Sequence, residues 1–279
     1  MRRRKGQTAY AGISMARSRF FYVRVAVLLT VLVVVLLFAA SRWLRDRARA
    51  EWNRPQRVAF VIVPIGPVEA APIAALAARK AKLEEVLTHE LHRRRPTPDR
   101  PFQISVRGPA ALAVAPPEPE GDGYFDLAAY AWHRWRWTRA VDASLSLDTD
   151  AYDSRIYVAV HAPVGKTEYV EGASDQGGHV GVVSCYLDAS TIDWALAVAT
   201  HELMHTLGAT DKYDLATGLP LVPDGLAEPQ REPLYPQRAA EVMARGVPLG
   251  PTTERPLAEL DELKVGDATA REIGWLAPP

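Results

Sequence analysis

The sequence predicts an α+β domain, a mixed twisted sheet with helices packed on it and a small C-terminal subdomain, carried behind one transmembrane helix. Three observations predict it. From Val25 to Ala40 every residue except Thr30 is apolar. Over residues 57–207, β-branched runs and helical patterns follow the order β-α-β-α-β-β-α. Beyond Gly208 the periodicity gives way to proline-rich sequence and two short helical patterns.

The apolar stretch extends through Phe20–Val23 and Trp43–Leu44. Residues 20–44 are therefore long enough to cross a hydrocarbon core of about 30 Å, with Arg24 reaching toward the headgroups. Arg2, Arg3, Arg4, Lys5, Arg17, Arg19 and Arg24 precede or open the span without an acid, whereas Arg42, Arg45, Arg47 and Arg49 follow it with Asp46 and Glu51. That bias puts residues 1–19 in the cytoplasm and the rest outside the cell membrane. A cleaved secretory signal wants small residues at −1 and −3 of the cut, and a cut after Ala40 would put Phe38 at −3. An uncleaved anchor is the expectation, with residues 45–56 as a juxtamembrane linker and 57–279 as the domain.

The chain balances 33 Lys+Arg against 33 Asp+Glu, but unevenly: residues 1–57 hold 13 basic and two acidic residues, and residues 58–279 hold 20 and 31. An acidic domain argues against a nucleic-acid groove, which needs clustered cations. A lone cysteine, Cys185, excludes an intrachain disulfide framework and a cysteine-based zinc site.

Arg57–Val63 is a short β-branched run closed by Pro64 and Gly66, hence a buried strand. Ala70–Arg95 has apolar residues at helical spacing and stops at Pro96. Phe102–Arg107 reads as a strand, Gly108–Gly123 as a proline-rich loop, and Phe125–Val141 as a helix whose Trp132, Trp135 and Trp137 belong to the core. Arg155–His161 and His179–Tyr186 read as strands. Gly177-Gly178 either expose the latter as an edge or form a hairpin turn. Ser190 and Asp193 suit a capping-box variant opening a helix over residues 190–207. Residues 208–279 form the C-terminal part, with Asp214–Pro236 as a loop and short helices at Leu257–Lys264 and Asp267–Trp275.

The helix at 190–207 carries His201-Glu202-Leu203-Met204-His205, followed by Thr206-Leu207-Gly208-Ala209-Thr210-Asp211. Four helical residues turn about 400° and rise about 6 Å, so both imidazoles project from one face and can close on one ion. Glu202 can reach a metal-bound water without being a ligand. Gly208 lets the chain turn so that Asp211 swings back as a third ligand, leaving an open position as catalytic zinc sites do. Asp214 is the alternative third ligand, because helix exits are read only to within a few residues.

The string HELMHTLGATD resembles the extended H-E-x-x-H-x-x-G-x-x-H/D motif of the metzincin clan of zinc metallopeptidases, in the Asp-bearing version of snapalysin-like enzymes. HTLGATDKYD is also similar to a stretch of immune-inhibitor-A-like peptidases. The resemblance spans about a dozen residues. It implies a zincin fold, zinc as cofactor, Glu202 as catalytic base, and His201, His205 and Asp211 as metal ligands. It also implies a Met-turn, for which Met243 is the candidate, although a methionine can equally fill a core gap. It implies an edge strand that pairs with extended substrate, here sought in His179–Tyr186. Several members place a tyrosine two residues after that methionine; this chain has Arg245. Tyr213, Tyr235, Arg245 and His179 remain open as oxyanion stabilisers.

Other clusters are weaker. His89 and His92 are spaced by three, at a cationic helix end. Asp148, Asp150 and Asp153 lack the Gly and Glu of a calcium loop. The expectation is thus a membrane-anchored zinc metalloendopeptidase acting on a peptide or protein. The rivals are an inactive zinc-binding scaffold and a zinc amidase.

Overall fold

A computed structural model describes residues 19–95, 100–112, 114–119, 121, 123–162, 170–174 and 176–277. The basic segment expected in the cytoplasm lies, up to residue 18, outside the described residues. The chain divides into two compact units, Met1–Asp46 and Arg47–Pro279.

In the first unit lies most of helix α1 (Arg19–Ala50). Its segment Phe21–Ser41 spans 21 residues, about 32 Å at 1.5 Å per residue, and is apolar enough to cross a membrane. By length and composition it is a membrane span or a secretory signal.

The second unit is built on a five-stranded sheet in the order β2-β1-β3-β5-β4: Phe102–Arg107, Gln56–Ile65, Ser154–His161, Val180–Tyr186 and Val170–Ser174. The first four strands are mutually parallel and β4 runs antiparallel to β5. Both faces of β1 are buried, which explains its unbroken apolar sequence. Val58, Phe60 and Ile62 face helices α2 (Ala70–His92) and α4 (Ile192–Thr206), while Ala59, Val61 and Val63 face α3 (Tyr124–Ser144).

Several expectations are corrected. The edge beside α4 is not the strand ending at Tyr186, which is interior, but β4, a segment that sequence reading leaves unassigned. Gly177 (φ +66°) lies in the turn from β4 to β5, so the hairpin reading of that glycine pair holds. Of the three tryptophans on α3 only Trp137 is buried; Trp132 and Trp135 are 56% and 51% exposed and stack on each other at 4.9 Å. The residue before α4 is Thr191, whose side chain makes no cap bond. Asp193 completes no capping box, because Arg79 engages both its oxygens at 2.7 Å and Leu260 N donates to it at 3.0 Å. Leu257–Lys264 is a 3₁₀ turn (Leu260–Glu262) and a two-residue strand (Leu263–Lys264), not a helix. Helix α5 spans Asp267–Glu272.

The linker expected at 45–56 is corrected too. Arg49, Trp52 and Gln56 are buried in the second unit. Trp52 stacks edge-on with Phe102 and Trp275 at 5.4 and 5.6 Å, and its indole donates to Ile273 O at 2.8 Å. Arg49 donates to Gly178 O at 3.0 Å, and to Ser154 Oγ and Thr206 O at 2.9 Å, joining the starts of β3 and β5 to the end of α4. The domain therefore begins near residue 47, not 57.

Candidate metal centre

Helix α4 is apolar on most of its circumference and buried against β4, β5 and α2, which holds its remaining polar side chains in fixed places. His201 and His205 project together, ring centroids 4.7 Å apart and nearly perpendicular. After α4, Gly208 adopts φ +107°, and Asp211 returns toward the two rings. Lys212, buried, locks that return: its ammonium meets both oxygens of Glu272 at 2.8 Å, and Glu272 also receives Thr210 N and Oγ1 at 2.9 Å.

The three side chains form a donor set. Asp211 Oδ1 lies 3.1 Å from His201 Nε2 and 3.2 Å from His205 Nε2, and the three ligand atoms fall within 4.8 Å of one another. The opposite ring nitrogens are committed: His201 Nδ1 is 3.0 Å from Val242 O and His205 Nδ1 is 2.9 Å from Ala209 O. A carbonyl only accepts, so each Nδ1 carries the proton, and in the neutral ring Nε2 presents a lone pair. Asp211 Oδ1 is buried and makes no hydrogen bond. Three converging lone pairs call for a cation. Tetrahedral ligands at about 2.0–2.1 Å from an ion stand about 3.3 Å apart, close to the two separations found. The residues therefore fit a small divalent metal.

The cluster attracts positive charge of either kind, a metal ion on neutral rings or a proton on a ring that then pairs with ionised Asp211. Burial opposes the charged form of His205, but Asp211 and the Ala209 carbonyl raise its pKa above the ordinary imidazole value. Burial likewise opposes ionised Asp211, and the two imidazoles more than offset it, holding the carboxyl well below the usual range. Asp214 is excluded from the set. It is exposed, and its Oδ1 caps its own turn through Thr217 N and Oγ1 at 2.8 Å.

Glu202 is buried between the donor set and the sheet edge, and its Oε2 has no hydrogen-bond partner among the described residues. Two glycines make room for it. A Cβ on Gly172 of β4 would overlap the Glu202 carboxylate, 2.7 Å from its Cδ, and one on Gly181 of β5 would lie 3.1 Å from its Cβ. Sequence reading missed Gly172, because its segment Val170–Ser174 holds a single β-branched residue and no apolar alternation.

Two adjoining hollows share Gly172, His201, Glu202 and Tyr213. One, of about 380 Å³, also exposes His205 and Asp211. The other, of about 130 Å³, runs from Glu202 between Trp194, Val198, Val242, Leu257 and Leu263. Tyr213 lies 6.3 Å from His201, ring to ring, and burial together with the Asp211 charge raises its pKa, so the hydroxyl keeps its proton. Arg245 lines the smaller hollow. Tyr235 and His179 line neither; His179 is engaged by Arg49 and the Asp153 carbonyl. Met243 is fully buried in the core, while its neighbour Val242 orients His201 and its own carbonyl accepts from Lys212 N at 2.9 Å. Buried Glu241 shapes that turn by accepting from Met243 N, Gly266 N and Thr269 Oγ1.

The clusters set aside are structural. Asp153 pairs with Arg54 at 2.7 Å and Asp148 caps a 3₁₀ turn. His89 and His92 are exposed, but Glu90 between them is buried and accepts from Arg93 and Arg94. Cys185 is buried, which pushes its thiol pKa up to about 12.

No protein-family model matches the chain, and no curated protein does. Among solved structures, it is similar to a chain from a chaperone–substrate complex, 13% identical with a TM-score of 0.33, covering 79% of this chain and 35% of that one. It is also similar to wild-type OgpA from Akkermansia muciniphila, 11% identical with a TM-score of 0.36, covering 81% of this chain and 63% of that one. The chain thus spans about a third and just under two thirds of their lengths. Neither likeness indicates the metzincin clan.

Proposed function

We propose that the chain is a membrane-anchored zinc metalloendopeptidase of metzincin type. Residues 20–44 form the anchor, with the N-terminus inside and the domain outside. The observation that carries the reading is the convergence of His201 Nε2, His205 Nε2 and Asp211 Oδ1 beside a buried, unsatisfied Glu202 carboxylate. Two imidazoles and a carboxylate suit zinc and leave a fourth position open. When bound, zinc supplies a Lewis acid that polarises the scissile carbonyl and acidifies water.

The chain's own residues do the rest. Glu202 takes the proton of the attacking water and later delivers it to the leaving amine. Gly172 and Gly181 leave open the space that its side chain occupies, which a Cβ at either position would take. The Tyr213 hydroxyl donates to the oxygen that gains charge. Strand β4, an edge of the sheet among the described residues, offers backbone groups to an extended peptide. An Asp in place of a third neutral ligand lowers the site's net charge, so more of the proton abstraction falls to Glu202.

The test is metal analysis of the full chain in detergent, with a peptide-library digest by wild type, chelator-treated wild type and Glu202→Gln. One zinc per chain is expected in both proteins. Cleavage is expected only from metal-loaded wild type, falling about 10²- to 10⁴-fold in the variant. Bound zinc with no cleavage would leave the scaffold reading, and release confined to non-peptide amides would leave the amidase.

A further inference from the structure

Among the described residues, Arg245 is the only Lys or Arg lining either hollow. It is exposed and makes no hydrogen bond or ion pair among the described residues. Other arginines of the domain are committed: Arg54, Arg79, Arg94, Arg155 and Arg255 each engage a carboxylate. Glu254 feels the Arg245 charge, yet no ion pair joins them.

The guanidinium is nonetheless seated. It packs over Gly218, where a Cβ would lie 2.5 Å from Nη1. Gly218 has φ +71° and is placed by the tight Asp214 turn, through Gly218 N to Asp214 O at 2.7 Å. A side chain at that position would be strained and would push the guanidinium away. The loop after Asp211 therefore holds one cation at the mouth of a hollow whose other ionisable side chains are His201, Glu202, Tyr213 and Glu241.

We propose that Arg245 is a specificity-determining residue that binds a carboxylate of the substrate, so that the preferred substrates are acidic peptides. A guanidinium presents parallel N–H donors that match a carboxylate fork, and none of these donors is used among the described residues. In a domain with 20 basic and 31 acidic residues after position 57, background repulsion of acidic peptides makes one placed cation more selective. The carboxylate is an Asp or Glu side chain beside the scissile bond, or the free C-terminus of a short peptide. The proposal rests on the peptidase reading of the metal centre.

The experiment uses the full zinc-loaded chain in detergent. One arm compares fluorogenic peptides differing by Asp/Asn or Glu/Gln at each position, and the other compares C-terminal acids with amides. Binding of the same labelled pairs to Glu202→Gln is followed by fluorescence anisotropy, which needs no turnover. Wild type is expected to prefer the carboxylate member of one arm by roughly 10- to 100-fold. In Arg245→Gln that ratio collapses toward one, and in Arg245→Glu a lysine peptide becomes the better substrate. A ratio of one in wild type, or a ratio unchanged in Arg245→Gln while all peptides slow together, overturns the proposal. If nothing is cleaved but Glu202→Gln still binds carboxylate peptides through Arg245, the anion site stands and the peptidase reading falls. If anisotropy shows no carboxylate preference either, the anion site falls as well.

Discussion

Helices α3 and α4 both carry aromatic side chains and an acid in the first turn, yet they are used in opposite ways. Ten of the fifteen residues of α4 are buried, and its polar side chains are pinned by Val242, Ala209 and the glycines of the sheet edge. Of the 21 residues of α3, only Trp137, Thr138, Val141 and Asp142 are buried. Burial around most of a helix fixes the rotamers of the few polar groups it carries, as a metal centre requires. A helix held along one stripe can vary on the rest. Substitutions on α4 and its supports should therefore cost function or folding, and those on the outer face of α3 should cost neither.

The largest contrast is between the two aspartates after α4. Asp211→Ala removes one of three donors and should weaken zinc binding by at least about 100-fold, since even supporting residues of metal sites contribute 10- to 100-fold. Asp214→Ala should leave metal affinity unchanged, because that carboxylate caps an exposed turn. Equilibrium titration against a competing chelator reads both, and equal losses would erase the assignment. Next comes Gly172→Ala, whose methyl group displaces the Glu202 carboxylate without touching a donor. The expected result is a folded, zinc-loaded protein with hydrolysis down about 10- to 100-fold.

A third variant asks whether α4 is also held from the N-terminal side. Arg49→Ala strips partners from buried Gly178 O, Ser154 Oγ and Thr206 O, and should destabilise the domain by about 2–4 kcal/mol in denaturant titration. A fragment starting at residue 57 should fare worse, since it also lacks Trp52 and Gln56. The Asp193–Arg79 pair sets a smaller, pH-dependent effect. Burial alone would raise the Asp193 pKa, but Arg79 and Leu260 N hold it below the ordinary value. Its stabilisation is thus present above the unfolded carboxylate pKa of about 3.9 and lost as pH falls through the lower folded value. Asp193→Asn should cost about 1 kcal/mol at pH 7, and the gap to wild type should close in acid.

The centre was legible where its chemistry is local. His201, Glu202 and His205 share one helical turn, and Gly208 marks the exit, so spacing alone places them. What was not legible depends on partners far along the chain. Choosing between Asp211 and Asp214 needs the Lys212–Glu272 lock, sixty residues apart. Strand β4 pairs on one side only and carries Glu, Gly and Ser, so no alternation announces it. Arg49 and Trp52 resemble the interfacial residues that flank a membrane span, and only their contacts near Ser154, Thr206 and Ile273 place them in a core. The sheet order was out of reach for the same reason, although strands β1, β2, β3 and β5 each stood out by β-branched content.

The smallest expected effect is the most exposed tryptophan pair. Trp132 and Trp135 stack on each other with about half of each side chain exposed, and Arg139 lies 5.8 Å over the Trp135 ring. Replacing both by serine removes that stack and a cation–π contact while creating no cavity, because neither ring is enclosed. Stability should change by no more than about 0.5 kcal/mol and zinc affinity not at all. Trp137→Ser on the same helix should behave differently, since its ring packs on Tyr157 at 5.7 Å and its indole donates to Val114 O at 2.8 Å. There the loss should approach the 3–5 kcal/mol typical of truncating a buried aromatic. Denaturation of the two variants side by side decides whether α3 is held by one stripe. A double Trp132/Trp135 variant as unstable as Trp137→Ser would mean that its outer face is packed after all.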